Sequence, residues 1–370
     1  MRDEVFSNIS MIIERDSKAT TYKFALLRAV IDIVQDNTPF INFRDNRVHF
    51  PTGLLIEKWL LYYYPILASP ILIPQINGDT RLAFEQDFLK VIQHYETVGG
   101  FSVFYNDLKN KGVPPEIRDD MAALIKKLKQ TITRMPMKYI GRSLSNEFYS
   151  IFQFTDHKQA SRHGTYDLDA IIQSAGSFSI PMDYYEAFSL LGAFINGQDS
   201  ILFKWAEFSV RASASALSVD KVVNEILKSP VTERDILDSK KLYRDALLQA
   251  GQIHCVWTGA PIRQFDVDHV IPFSVWKNNE LWNLLPSRPA VNNGKRDKIP
   301  APALIEKQEP LILQYWDIIQ TRHPERFHKE LRRSLTGNRP TNNWQHHAIE
   351  QLKNSCAYLI NKRGFEAWTI

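Results

Sequence analysis

Apolar side chains recur at helical spacing through most of the first 250 residues. Leu27, Val30, Ile31 and Val34 form one such stripe, with Thr20 and Thr21 as caps. Leu54 to Tyr64 predicts a second helix, and Phe84, Phe88, Val91, Ile92 and Tyr95 mark a third. Ile117, Met121, Leu124 and Leu128 mark a fourth, started by Pro114-Pro115. Between the first two, NFRDNRVHF (Asn42 to Phe50) reads as a short hairpin turning at Asp45-Asn46. Residues 148–154 are strand-like, 155–165 form a polar loop, and helices follow over 184–195 and 201–210. The small-residue stretch Arg211 to Asp220 is the best linker candidate. Thr232, with Asp235 three residues on, starts a helix that runs through Leu247.

After residue 250 the period changes. HCVWTGAP (His254 to Pro261), DVDHVIP (Asp266 to Pro272) and LWNLLP (Leu281 to Pro286) are short apolar runs broken by Gly, Pro and Asn, the punctuation of strands and turns. Helical periodicity resumes near Leu311 and continues to the end. The pattern predicts a mainly α protein with an embedded α+β module. Its expected domains are 1–230 (helical; sensor, regulatory or DNA-docking), 231–310 (the α+β module) and 311–370 (a helical extension packed on that module).

Composition narrows the picture. Apolar residues make up 44% of the 370, enough to bury a real interior, so a disordered chain is excluded. A net charge of +4 permits contact with a polyanion without demanding it. Cys255 and Cys356 are the only cysteines and fit neither a disulfide framework nor a CxxC zinc knuckle, which points to a reducing cytoplasm. Asp3, Glu4, Glu14 and Arg15 interrupt any apolar leader. The stretch from Trp59 to Pro74 is shorter than the ~20 apolar residues of a spanning helix and holds Pro65, Pro70 and Pro74, so no membrane insertion is expected. Trp59, Trp205 and Trp316 are expected in the core.

Candidate chemistry concentrates between Asp266 and Lys298. Cleaving a phosphodiester requires a base for the attacking water and positive charge on the phosphate oxygens. A histidine supplies the first near neutral pH, and a hard divalent cation on carboxylate and amide oxygens supplies the second. Asp268 beside His269, then Asn283, then Asn292 followed by Gly294 and Lys295, offer this set. DVDHVIPFS…NLLPSRPAVNNGKRDKIP resembles the HNH endonuclease family, and in particular its Cas9-type motif, including the spacing of the key positions. CVWTGAPI is similar to the segment leading into many such domains. The resemblance covers roughly residues 250–302.

The resemblance implies a ββα-metal fold with His269 as general base. Asp268 and Asn292 become ligands of one Mg²⁺ or Mn²⁺ ion, with Asn293 as the alternative to Asn292. Asn283 holds the histidine or its loop. Lys295, three residues after Asn292, shares its helical face and approaches the scissile phosphate; Arg288, Arg296 and Lys298 are further phosphate contacts. Many relatives carry a zinc held by two CxxC pairs, but Thr258 stands where a second thiolate would follow Cys255, so no structural zinc is expected. Arg322, Arg326, Lys329 and Arg333 recur at i, i+4, i+7 and i+11. They read either as a basic stripe along a DNA backbone or as a solvated surface helix.

DNA is the expected partner. The layout is similar to free-standing bacterial HNH proteins of anti-phage defence, such as Zorya-type systems, which implies other defence-system proteins as further partners, and a role in defence or restriction. Two alternatives stand beside an active nuclease: a sensor whose nuclease is silent until triggered, and a non-catalytic DNA-binding relic.

Overall fold

The computed structural model describes residues 2–14, 19–78, 81–140, 150–157, 166–196, 201–340 and 342–370. Part of the strand-like stretch at 148–154 and most of the polar loop at 155–165 lie outside the described residues. The chain forms two compact units, Met1–Gln35 with Ile41–Pro230, and Asp36–Phe40 with Val231–Ile370. It is mainly helical, with small sheets. No helix among the described residues is long and apolar enough to cross a membrane.

The first unit is built around helix Tyr22–Gln35, which is apolar on nearly every side and correspondingly buried on nearly every side. It packs on helices Thr52–Leu67 and Met182–Asn196. Tyr22, Trp59, Tyr63, Phe84 and Trp205 stack into one aromatic cluster, where the Trp205 indole donates to Gln75 Oε1 at 2.8 Å. The hairpin expected at 42–50 forms, from strands Asn42–Arg44 and Arg47–Pro51. Asp45 and Asn46 take φ of 52° and 54°, the doubly left-handed turn that suits the twist of two antiparallel strands. Strands Ser177–Pro181 and Gln153–Thr155 complete a four-stranded antiparallel sheet.

The stretch Arg211 to Asp220 is not the linker. Helix Ile201–Ala212 runs into it and helix Val219–Ile226 leaves it, and both belong to the first unit. Its small residues serve a tight reversal, with Ala214 and Ser215 at positive φ, rather than a flexible connection. The helix expected from Thr232 starts later, at Leu237, whose N–H donates to Asp235 Oδ1 at 3.2 Å.

In the second unit, residues 231–310 and 311–370 share one core. Val270, Ile271, Trp282 and Leu285 pack in a single cluster with Ile305, Trp316, Phe327, Leu352 and Cys356 from the helices that follow. The Trp316 indole donates to the Trp282 carbonyl at 2.9 Å, and Tyr243 Oη donates to the Leu284 carbonyl at 2.7 Å. Strand Ala367–Trp368 pairs in parallel with Ile299–Pro300, tying the chain's last strand to the α+β segment. The segment Asp36–Phe40 also belongs here, with Asn37 Nδ2 donating to Ser355 Oγ at 3.2 Å.

Candidate active site

Strand Asp266–His269 runs antiparallel to Leu284–Ser287, in a register that sets Asp268 opposite Leu285 and His269 opposite Leu284. Residues two apart on a strand share a face, so Asp266 and Asp268 point the same way. That face is covered by the short helix Pro289–Lys295, which starts directly after the second strand with Pro289 in its first turn, where a missing N–H costs nothing. Asn292 and Lys295 lie three apart on this helix, and both reach back to the strand.

Asp268 is buried, and both its oxygens are engaged. Oδ2 accepts from the Trp257 indole at 2.6 Å, and Oδ1 accepts from Lys295 Nζ at 3.0 Å. Lys295 has no exposed surface; its ammonium also donates to the His269 carbonyl at 2.5 Å and lies 5.7 Å from the centre of the Trp257 ring. This corrects the expectation that Lys295 approaches a phosphate: the buried Asp268 carboxylate draws the ammonium inward, where neither charge is left unpaired. Asn292 is half-buried and donates from Nδ2 to Asp266 Oδ2 at 3.3 Å, while its neighbour Asn293 is exposed. The Asn292 amide therefore bonds to Asp266, not Asp268.

His269 is buried at the end of its strand, edge-on to Phe273, with Nε2 3.1 Å from Asn279 Oδ1. Burial pushes its pKa below the usual 6.5; the Asn279 contact and the Asp268 charge pull it up, and Arg234 and Lys295 push it down. The net shift favours the neutral imidazole near pH 7. Asn283 is fully buried and does not take the ring. Its Oδ1 accepts from Ile271 N at 2.8 Å and its Nδ2 donates to Ile271 O at 3.0 Å, gripping both polar groups of one residue just past the histidine. In this structure the Asn283 side chain bonds the loop and not the ring. Asn283→Ala leaves the Ile271 N–H and C=O without these partners, at about 1–3 kcal/mol for each buried group left unpaired. The unfolding midpoint of the full chain in denaturant is expected to fall accordingly; an unchanged midpoint contradicts this role.

The loop carrying Asn279 and Asn283 is pinned by two buried carboxylates. Glu280 Oε2 accepts from the Trp282 indole at 2.6 Å, and Glu330 Oε2 accepts from Leu281 N at 2.7 Å. Burial, then the nearby Glu280, push the Glu330 pKa up, while Arg326 opposes them. Arg326 is thus spent on structure, bonding Glu330 and Asp238 at 2.7 Å each. The basic stripe is not one helix: Pro302–Arg322 ends, Pro324 opens a new helix to Leu331, and Arg332–Thr336 forms a wider turn. Arg333 is buried and Lys329 half-buried, so these three do not form the DNA-facing row expected of them. Lys298 pairs with Glu366 at 2.5 Å, while Arg288 and Arg296 are exposed near the helix.

Asp266, Asp268 and Asn292 are oxygen donors, the ligand type a hard divalent cation prefers. Among the described residues no three His, Cys, Asp or Glu side chains gather as a ready-made cage. One or two carboxylates are what Mg²⁺ commonly takes from a protein, with water and phosphate completing its shell. In this structure the Asp268 carboxylate is paired with the Lys295 ammonium, which occupies Oδ1. The residues fit such an ion in kind, as oxygen ligands.

Asp266, Trp257 and Asn279 were not singled out from the sequence. Asp266 was legible as the first acid of an alternating D-V-D on a strand. Trp257 and Asn279 carry no local signal, because their roles come from contacts made only on folding.

A family model described as a domain of unknown function (DUF8808) matches residues 2–226, more than half of the chain, and the chain belongs to that family. A second, described as HNH endonuclease, matches residues 255–301, the segment that holds the strands, the short helix and all four expected site residues. No curated protein and no solved structure matches the chain.

Proposed function

We propose that the HNH endonuclease domain of this chain hydrolyses DNA phosphodiester bonds with a divalent cation, Mg²⁺ or Mn²⁺, one ion per site. The observation that carries this reading is His269, a buried histidine at the end of a strand whose acids face the helix bearing Asn292. In this reading His269 removes the proton from the attacking water. Asp268 and Asn292 hold the ion, with Asp266 beside them, and the ion when bound supplies positive charge to the scissile phosphate. Asn283 keeps the histidine's loop in place, and the exposed Arg288 and Arg296 bind flanking phosphates. In the proposed layout residues 1–230 sense or dock, 231–310 cut, and 311–370 brace the nuclease. The biological setting proposed is bacterial anti-phage defence or restriction, in the cytoplasm, alongside other defence proteins.

Incubating supercoiled plasmid with the full chain and Mg²⁺ tests the activity. Nicked or linear product that disappears with EDTA is expected; intact plasmid under Mg²⁺ and Mn²⁺ alike overturns it. A second reading, a nuclease silent until triggered, draws support from the closure of both Asp268 oxygens by Trp257 and Lys295. It expects faster cutting when residues 1–35 and 41–230 are removed and Asp36–Phe40, which belongs to the second unit, is kept, and an equal rate argues against it.

A further inference from the structure

The histidine's ring is oriented by a residue outside the motif. The Asn279 side chain has two different ends, and its surroundings determine which way round it sits. Nδ2 donates to the Glu233 carbonyl at 2.9 Å, so Oδ1 is the atom turned to His269 Nε2, 3.1 Å away. With the amide reversed, its oxygen would meet the Glu233 carbonyl oxygen, an acceptor against an acceptor, and its N–H would meet the ring. An amide oxygen only accepts, so the ring nitrogen facing it must carry the hydrogen. A neutral imidazole has one N–H; with it at Nε2, Nδ1 holds the free lone pair.

We propose that Asn279, itself fixed by the Glu233 carbonyl, is a positioning residue that locks His269 in the tautomer protonated at Nε2 and so makes Nδ1 the proton-accepting atom. This rests on the nuclease reading above. Glu233 lies in the stretch between Pro230, the last residue of the first unit, and helix Leu237–Ala250. The tautomer of the base is therefore tied to the segment that leads from Pro230 into helix Leu237–Ala250. Asn279 is held from behind as well: Asn283 Nδ2 donates to the carbonyl of its neighbour Asn278 at 3.4 Å, and Glu280 N donates to Asn278 Oδ1 at 2.7 Å.

The test uses the full chain labelled with ¹⁵N-histidine, at a pH where the ring is neutral, with the His269 signals assigned by their loss in a His269 variant. The wild type is expected to show a protonated Nε2 and an unprotonated Nδ1. Asn279→Ala is expected to mix the two tautomers and to lower kcat by about 10–100-fold, the usual cost of losing an outer partner of a working histidine, with KM unchanged. The proposal is overturned if the wild type carries its hydrogen on Nδ1, if Asn279→Ala leaves the tautomer ratio as it was, or if the ratio shifts with kcat unaffected. A wild type that cuts nothing while Asn279→Ala still mixes the tautomers overturns the nuclease reading and leaves the tautomer lock standing.

Discussion

Replacing His269 by alanine is expected to slow DNA cleavage by about 10²–10⁴-fold, the range that a positioned general base contributes. The ring's proton transfer belongs to the transition state, so kcat and kcat/KM should fall together while DNA affinity holds. His269 is the only histidine on the strand pair, and burial favours its neutral form. No other imidazole in the matched segment can take over, because residues 255–301 contain no second histidine. The measurement is a plasmid nicking time course for wild type and variant, with circular dichroism to confirm that both are folded. A variant retaining more than about a tenth of the wild-type rate contradicts the role assigned to the ring.

The second large effect is expected at Lys295. Its ammonium and the Asp268 carboxylate face each other at 3.0 Å with almost no solvent access. Removing one member of such a pair leaves the other charge buried and alone, which costs about 3–5 kcal/mol. Lys295→Met is therefore expected to lower the unfolding midpoint of the full chain sharply. Adding Asp268→Asn removes the stranded charge while keeping an acceptor for the Trp257 indole, and is expected to recover most of the loss. Mn²⁺ should raise the midpoint of Lys295→Met more than that of the wild type, because the ion takes the place the ammonium has left. A single variant as stable as the wild type, or a double variant no better than the single, would show that the pair does not carry this energy.

Much of the site was legible because its key spacings are local. Asp268 and His269 sit on one strand, Asn283 precedes the next strand, and Asn292 lies on the helix that follows it. A strand–turn–helix of this length leaves few ways to arrange them. What the side chains touch was not legible. That Lys295 turns inward depends on Trp257 and Asp268 meeting on one side of the strand. That Asn279 takes the ring depends on Glu233, 46 residues earlier in the chain. The basic stripe misled because i, i+4, i+7 spacing assumes one unbroken helix, and Pro324 breaks it between Arg322 and Arg326. The linker was misplaced because small residues suit a tight turn as well as a flexible joint, and Ala214 and Ser215 make the turn. The helices Tyr22–Gln35 and Thr52–Leu67 were plain from their apolar runs, since burial on nearly every side needs an apolar surface on nearly every side.

A crystal structure of the full chain with Mn²⁺ and a duplex carrying a non-cleavable phosphorothioate tests the central claim most directly. An anomalous Mn²⁺ peak bonded to Asp268 and Asn292 is expected, with Lys295 moved off the carboxylate and a water between His269 Nδ1 and the phosphorus. A duplex bound elsewhere on the chain, with the histidine turned from every phosphate, would contradict it.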